Sequence, residues 1–280
     1  EEVHPEDGPM LRQTIQGDGY AAVMVVILNA MPGGSHSMFI YRRLYQRGKA
    51  KYFGIVHNQV EIDGATTQPT IHDANGQSRM LPLRLLHHGY NMPMEEMVIK
   101  WDRSEKLLKK QIEANPHDTF AWFNLNRITR NRRNYDQAVR DGEHALALKP
   151  YQHNPGIYLM HLVDTSYCYL MQGDNHNVER LCLEGIQYNP DNLDLLFTLG
   201  QSYFGRKEYE PAMAILQRWL KTRQQQEQKP NFDAKIIDTW MYHEYAKHII
   251  VNCFTNISFQ QIESFKAEDI KVLAEMFTVY

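Results

Sequence analysis

Up to Met92 the apolar residues of this chain fall in short continuous or alternating stretches, and from Met94 onward they recur every three to four positions. The first pattern predicts strands and the second helices. Tyr20 to Leu28 is a β-branched apolar run suited to a buried strand, broken by Pro32-Gly33-Gly34-Ser35. Phe39 to Gln46 alternates Phe39, Tyr41, Arg43 and Tyr45 against Ile40, Arg42 and Leu44, which predicts a strand with one chemically active face. Tyr52 to Ile62 is a third strand, Asp63-Gly64 a turn, and residues 65 to 82 a polar loop. Leu83 to His88 is a short strand that stops at Gly89-Tyr90. Ahead of these, residues 3 to 17 read as a turn leading into a short helix through Met10, Leu11 and Ile15.

After the boundary at Met92-Pro93, Met97, Trp101, Leu107, Leu108 and Ile112 share one helical stripe that Asn115-Pro116 ends. Landmark residues then recur at near-regular intervals: Ala138, Val178 and Ala212 are separated by 40 and 34 positions. Pro150, Pro190 and the run Gln224 to Gln228 follow them at a constant offset. An interval of about 34 is the length of one tetratricopeptide unit, a helix pair that buries its apolar face only by stacking on neighbours. In the first unit Trp122, Leu125 and Ile128 face Ala138, Ala145 and Leu148, with Asn134 and Asp136 opening the second helix. An insertion of about six residues around Tyr151 to Pro155 accounts for the longer interval before Leu162, Tyr169 and Val178. In the third unit Gly200 and Ala212 mark the closest approach of two helices. A helix from Asp233 and a last one from Glu268 to Phe277 are expected to close the stack.

Composition adds bounds. The 280 residues suffice for two domains, and 43% hydrophobic with 22% charged residues is globular rather than disordered. A net charge of −3 provides no general field for nucleic acid. The longest apolar run, Ala21 to Leu28, cannot span a bilayer. Cys168, Cys182 and Cys253 have no metal-ligand spacing and fall on helices, which fits a reducing, cytoplasmic setting. The opening Glu1-Glu2-Val3 reads as the interior of a longer polypeptide, the alternative being a mature terminus after processing.

A set of motifs then stands in order: Tyr41-Arg42-Arg43-Leu44-Tyr45-Gln46-Arg47, Tyr52-Phe53-Gly54-Ile55-Val56-His57, His87-His88-Gly89-Tyr90, Lys100 with Arg103, and Asn115-Pro116-His117-Asp118. Over about residues 1 to 225 this resembles the C-terminal half of family-2, GT-A-type glycosyltransferases that carry tetratricopeptide repeats, with the N-terminal half of the catalytic domain missing. The resemblance implies an α+β segment over 1–92, a partial GT-A α/β domain, and an all-α tetratricopeptide solenoid over 93–280. Asn58 stands where that family has Glu after the strand histidine, and the Asp-x-Asp metal motif would lie upstream of Glu1.

The resemblance also implies a chemistry. Sugar transfer from a nucleotide sugar requires neutralisation of the leaving diphosphate, commonly by Mg²⁺ or Mn²⁺, and sometimes a base for the acceptor. It places His57 near the cleft as metal contact, donor-phosphate contact or acceptor-side base; the alternative is a structural histidine at a strand end. Arg43 and Arg47 would pair with the diphosphate, or else protect a strand edge by charge. His87 and Tyr90 would contact substrate, with His87 a second metal candidate and Gly89 allowing close backbone approach, unless the segment is a plain turn.

Arg127, Arg130, Arg132 and Arg133 form a basic cluster, either a contact for an acidic partner or a solvated face. Phe123, Arg127, Tyr167, Phe197 and Gln201 fall where leading helices line a partner groove, where burial against a neighbouring helix is the competing assignment. Two functions follow. One is the C-terminal portion of a nucleotide-sugar-dependent glycosyltransferase, inactive by itself, whose repeats hold a glycan, peptide or protein acceptor or a partner. The other is a non-catalytic tetratricopeptide adaptor.

Overall fold

The structure, a computed structural model, describes residues 2–16, 22–30, 36–45, 47–53, 55, 59–62, 65–66, 78–89, 91–152, 155–227 and 240–257. The chain forms two compact units. One runs from the N-terminus to Ile128 and takes in Gln152–Gly156; the other takes Thr129–Tyr151 and most of the chain from Ile157 onward. Strand gives way to helix just after Pro93, as the periodicity predicts, but the helix that follows counts with the sheet unit.

In the first unit, β1 (Glu2–Val3), β2 (Ala22–Ala30), β3 (His36–Tyr45) and β7 (Ser78–His87) form a four-stranded sheet in the order β1-β7-β2-β3. β2 runs parallel to β7 and antiparallel to β3. Val23, Val25 and Ile27 of β2 and Leu83 and Leu85 of β7 form its core, against which Met10 and Leu11 of α1 (Gly8–Gln16) pack. The three-residue turn before α1, Pro5–Asp7, is fastened to the sheet by a buried carboxylate. Asp7 is 6% exposed and accepts bonds from the Arg84 backbone N–H at 2.8 Å and from its guanidinium at 2.8 and 3.0 Å. That guanidinium, together with the backbone donor, holds the Asp7 carboxyl down to about 2.

Three predicted strand details change. The alternation through Tyr41, Arg43 and Tyr45 does not hold as one face, because Val23 pairs with Leu44 and Met24 with Arg42, leaving Arg43 as the extra residue of a bulge. Tyr52 to Ile62 is not one strand: β4 (Ala50–Phe53) and β5 (Gln59–Ile62) pair antiparallel, with β6 (Ala65–Thr66) beside β5. The last strand begins at Ser78 rather than Leu83. Its first half falls within the polar stretch over 65 to 82, and Pro82, which lacks a ladder donor, sits between Met80 and Arg84 where pairing with β2 shifts.

α2 (Met94–Ala114) follows, and its Leu108 packs with Ala121, Leu125 and Ile128 of α3 (Thr119–Asn131). Asp118 opens α3 by accepting from the Ala121 N–H at 2.9 Å, and its other oxygen takes the Gln111 amide at 2.7 Å.

The second unit is helical: α4 (Tyr135–Ala147), α5 (Pro155–Gln172), α6 (Asn175–Tyr188), α7 (Leu193–Gly205), α8 (Tyr209–Glu227) and α9 (Trp240–Asn256). A single turn recurs in it. Arg133, Gly173 and Lys207 each adopt a left-handed φ, of 61°, 77° and 64°. In each case the next residue's N–H reaches back five positions, Asn134 to Thr129, Asp174 to Tyr169 and Glu208 to Tyr203. This helix-ending geometry satisfies carbonyls that the helix leaves open. The side chains of Asn134 and Asp174 then cap the following helices. The three turns lie 40 and 34 positions apart, the interval of the sequence landmarks.

Successive hairpins interlock through small residues and a repeated polar staple. A Cβ on Gly142 of α4 would lie 2.1 Å from the Thr165 hydroxyl of α5, and one on Gly185 of α6 would lie 2.3 Å from Leu195 of α7. One on Gly200 would meet Leu216 of α8 at 2.6 Å, and Ala212 of the same helix is fully buried. Tyr169 donates to Glu143 at 2.9 Å, and Tyr203 donates to Glu179 at 3.0 Å; Arg180 and Arg206 each complete the pairs. Tyr158, Leu162, Tyr169, Val178, Leu181, Cys182, Leu195 and Leu199 form the core between α5, α6 and α7. The expected helix start at Asp233 and the helix over Glu268 to Phe277 lie outside the described residues, where α9 is seen from Trp240. Among the described residues, no helix is long and apolar enough to cross a membrane.

Candidate functional site

Among the described residues of the sheet unit, polar side chains gather at the ends of β2 and β7. Asn29 of β2 and His87 of β7 are register partners at the carboxyl end of the parallel pair, and Asn29 is 5% exposed. The chain turns immediately after His87, with the Asn91 N–H donating to the His88 carbonyl at 3.0 Å. Lys100 of α2 reaches this turn and donates to the Gly89 carbonyl at 2.7 Å. The amine is half-buried, and that burial pushes its pKa down. In open sheets with parallel strands, ligands bind outside the carboxyl ends of those strands, where backbone carbonyls and loop side chains converge.

The expected site residues do not all meet there. His57 and Tyr90 lie outside the described residues. Arg43 sits in the bulge opposite Val23 and Met24, with its guanidinium 5.0 Å over the Tyr41 ring. That is the opposite end of β2 from Asn29, about 17 Å away at the rise of an extended strand. Arg47 is exposed in the turn after β3, at the same far end. The structure therefore separates Arg43 and Arg47 from His87, because β3 runs antiparallel to β2 and carries its last residues away from the carboxyl end of the parallel pair. Among the described residues, no three of His, Cys, Asp and Glu converge as a metal site would need.

In the helical unit a strip of aromatic and charged residues crosses α5, α7 and α9. The Arg130 guanidinium pairs with Asp164, whose side chain is 7% exposed, and lies 5.6 Å over the ring of Tyr167. Burial raises the Tyr167 phenol, and Tyr135 and Tyr242 add to the rise while Arg130 opposes it. Tyr242 of α9 is raised in the same way by burial and then by Asp194, again against Arg130. Tyr167 and Tyr245 present exposed surface. Phe197 does not: it is an anchor at 6% exposure, edge-on to Tyr242 at 5.1 Å and tilted against Trp219 at 5.4 Å. Gln201 is half-buried beside it on α7. Phe123, in the other unit, is also buried at 6%, under the Arg127 guanidinium at 5.5 Å. Burial against neighbours, the competing assignment, thus describes Phe123 and Phe197.

Asn29, Asp164, Asp194 and Tyr242 belong to none of the sequence motifs. Asp164 and Asn29 carried a readable signal, since each is a polar residue inside an otherwise apolar run. Cys168, Cys182 and Cys253 are buried free thiols, pushed up to about 12, 12 and 11 by burial, which makes them inert packing residues.

No curated protein matches the chain. Among solved structures, MamA 41-end from Desulfovibrio magneticus RS-1 is similar at 16% identity and a TM-score of 0.45, over 64% of this chain and 82% of that one. A crystal structure of MamA protein aligns at 12% identity and a TM-score of 0.48, over 66% and 85%. A putative kinesin light chain of Podosopora anserina with nearly identical TPR-like repeats aligns at 12% identity and a TM-score of 0.44, over 65% and 89%. The hairpins themselves, not these likenesses, establish the repeat architecture. Residues 169–229, which hold the hairpin junctions α5–α6, α6–α7 and α7–α8, match the tetratricopeptide repeat family.

Proposed function

We propose that this chain is the C-terminal portion of a nucleotide-sugar-dependent glycosyltransferase whose tetratricopeptide hairpins bind a protein or peptide, either the acceptor or an assembly partner. The helical part of this proposal is supported by the match over 169–229 and by the interlocking of successive hairpins. Stacked hairpins of this kind present extended faces to extended partners. Tyr167 and Tyr245, aromatic and partly exposed, have the character of interface anchors.

The catalytic part is carried by one observation. A parallel strand pair ends with Asn29 and His87 side by side, and the turn beyond them is tied to the helix that opens the repeats. The ordered motifs that resemble family-2 glycosyltransferases include this same His87-His88-Gly89-Tyr90 turn and Lys100. In such a site the imidazole would contact donor phosphate or accept a proton.

The described residues do not by themselves fit a divalent cation, so no step is routed through one; a complete enzyme would draw Mg²⁺ or Mn²⁺ ligands from elsewhere in its chain. The donor is a nucleotide sugar, and the acceptor a glycan, peptide or protein.

The test is sugar transfer by the full-length polypeptide that contains these residues, and by its H57A variant. The proposal expects transfer, lowered at least about tenfold in the variant with little change in thermal midpoint. Transfer lost together with the fold would return His57 to a structural role. A folded protein with no transfer to any acceptor would favour the adaptor, a reading that the repeat match alone also supports.

A further inference from the structure

We infer that Lys100 and Gly89 act as a positioning pair that holds the His87 imidazole at the carboxyl end of the β2–β7 strands. The inference rests on the sugar-transfer proposal for its function, but not for its geometry. The His87 ring occupies the space in which a side chain at position 89 would stand. A Cβ built on Gly89 would fall 2.4 Å from Nε2 and 3.0 Å from Cε1 of that ring. Any residue other than glycine would therefore displace the imidazole, because a Cβ does not sit within 3.0 Å of a non-bonded heavy atom.

The carbonyl of the same glycine takes the Lys100 amine at 2.7 Å, so the turn is fixed from α2 as well as from within. The Asn91 to His88 bond closes the turn on its other side. On the strand side, Asn29 is buried opposite His87 in the ladder and fixes the backbone from which the ring projects. One side chain is thus held through its strand partner, through a missing side chain and through the Lys100 cation on the following helix.

Lysine suits the clamp. Its amine is a compact donor on a long stem, and its half-buried place beside a carbonyl compensates the loss of water. A clamp of this kind matters because misplacement of a reacting group by about 1 Å can cost up to about a hundredfold in rate. The plain alternative is that Lys100 only stabilises the turn.

Long-range ¹H–¹⁵N imidazole spectra of the 280-residue chain at one fixed pH separate the two. The wild-type chain is expected to give one sharp His87 pattern. K100M and G89A, which disturb the pair from opposite sides, are each expected to shift it while leaving the His4 and His88 signals in place. K100R, with a bulkier head, restores the pattern only in part. An unchanged His87 signal in either K100M or G89A, in a chain that melts as the wild type does, overturns the pairing. A shift of all three histidines together in both variants also overturns it, since that is the mark of a general structural role. In the full-length protein K100M is expected to lower kcat about tenfold with KM for the nucleotide sugar within about twofold. Complete absence of transfer by the wild-type protein would sink the sugar-transfer proposal, while the imidazole spectra would still decide the positioning pair.

Discussion

Replacing Gly142 by Ala tests the interlocking of hairpins at its tightest point. The new Cβ would stand 2.1 Å from Oγ1 and 3.0 Å from both Cβ and Cγ2 of Thr165, a residue with no exposed surface. Rotation of Thr165 gives only partial relief, because it can swing Oγ1 away but leaves the Thr165 Cβ 3.0 Å from the new atom. One helix must therefore move, and overpacking of this kind costs about 1–3 kcal/mol. The helix gains about 1 kcal/mol from exchanging an interior glycine for alanine. The balance is a loss of up to about 2 kcal/mol, read as a lower urea midpoint at unchanged m-value. T165A removes the obstructing atoms, so G142A combined with T165A should recover at least about 1 kcal/mol relative to additivity. A G142A protein more stable than the wild type, or one whose stability adds simply with that of T165A, would mean that helix propensity alone governs position 142 and that α4 and α5 do not approach as described.

Four further outcomes are expected. Arg133 and Lys207 pay steric strain at left-handed φ where the equivalent turn has Gly173, so R133G and K207G should each stabilise the helical unit by up to about 1 kcal/mol in thermal or urea melts. Asp7, lowered from 3.8 to about 2, contributes stability that is whole above pH 3.8 and fades as pH falls through about 2; D7N should flatten that acid limb and cost about 2 kcal/mol at neutral pH by calorimetry. Burial first, then the bond to Glu179, pushes the Tyr203 phenol up to about 12; E179Q should bring its titration, followed by ultraviolet absorbance, below that of the wild type. L195A should cost about 3 kcal/mol, because Leu195 is fully buried between α6 and α7 and is the side chain that fills the space at Gly185.

The repeat was legible because stacking constrains many positions at once. Ala138, Val178 and Ala212 are all fully buried, and the prolines and caps follow them at the spacing the hairpins need. Asn134 caps α4 as expected. The left-handed turns were less legible, since arginine and lysine occupy two of the three sites where glycine would have announced them. The glycines that permit close approach, Gly142 and Gly185, carried no pattern of their own; only the neighbouring helix gives them meaning.

In the sheet, β2 was readable from its β-branched run. Arg43 misled because a bulge shifts the two-residue alternation by one position, a change no local pattern reveals. The first half of β7 lay hidden in the polar stretch over 65 to 82, because its strand character is a property of the pairing with β2. The candidate site was half legible. His87 and Lys100 stood out as motif residues, but Asn29 joins them only through parallel pairing with a strand more than fifty positions away. Phe123 and Phe197 show the limit on the helical side, where a groove face and a core face have the same period.

The most direct measurement is a crystal structure of the full-length polypeptide soaked with a nucleoside diphosphate and Mn²⁺. The account expects the nucleotide at the carboxyl ends of β2 and β7, with its diphosphate within reach of His87. Nucleotide bound elsewhere, or none bound at millimolar concentration with that strand edge open to solvent, would contradict it.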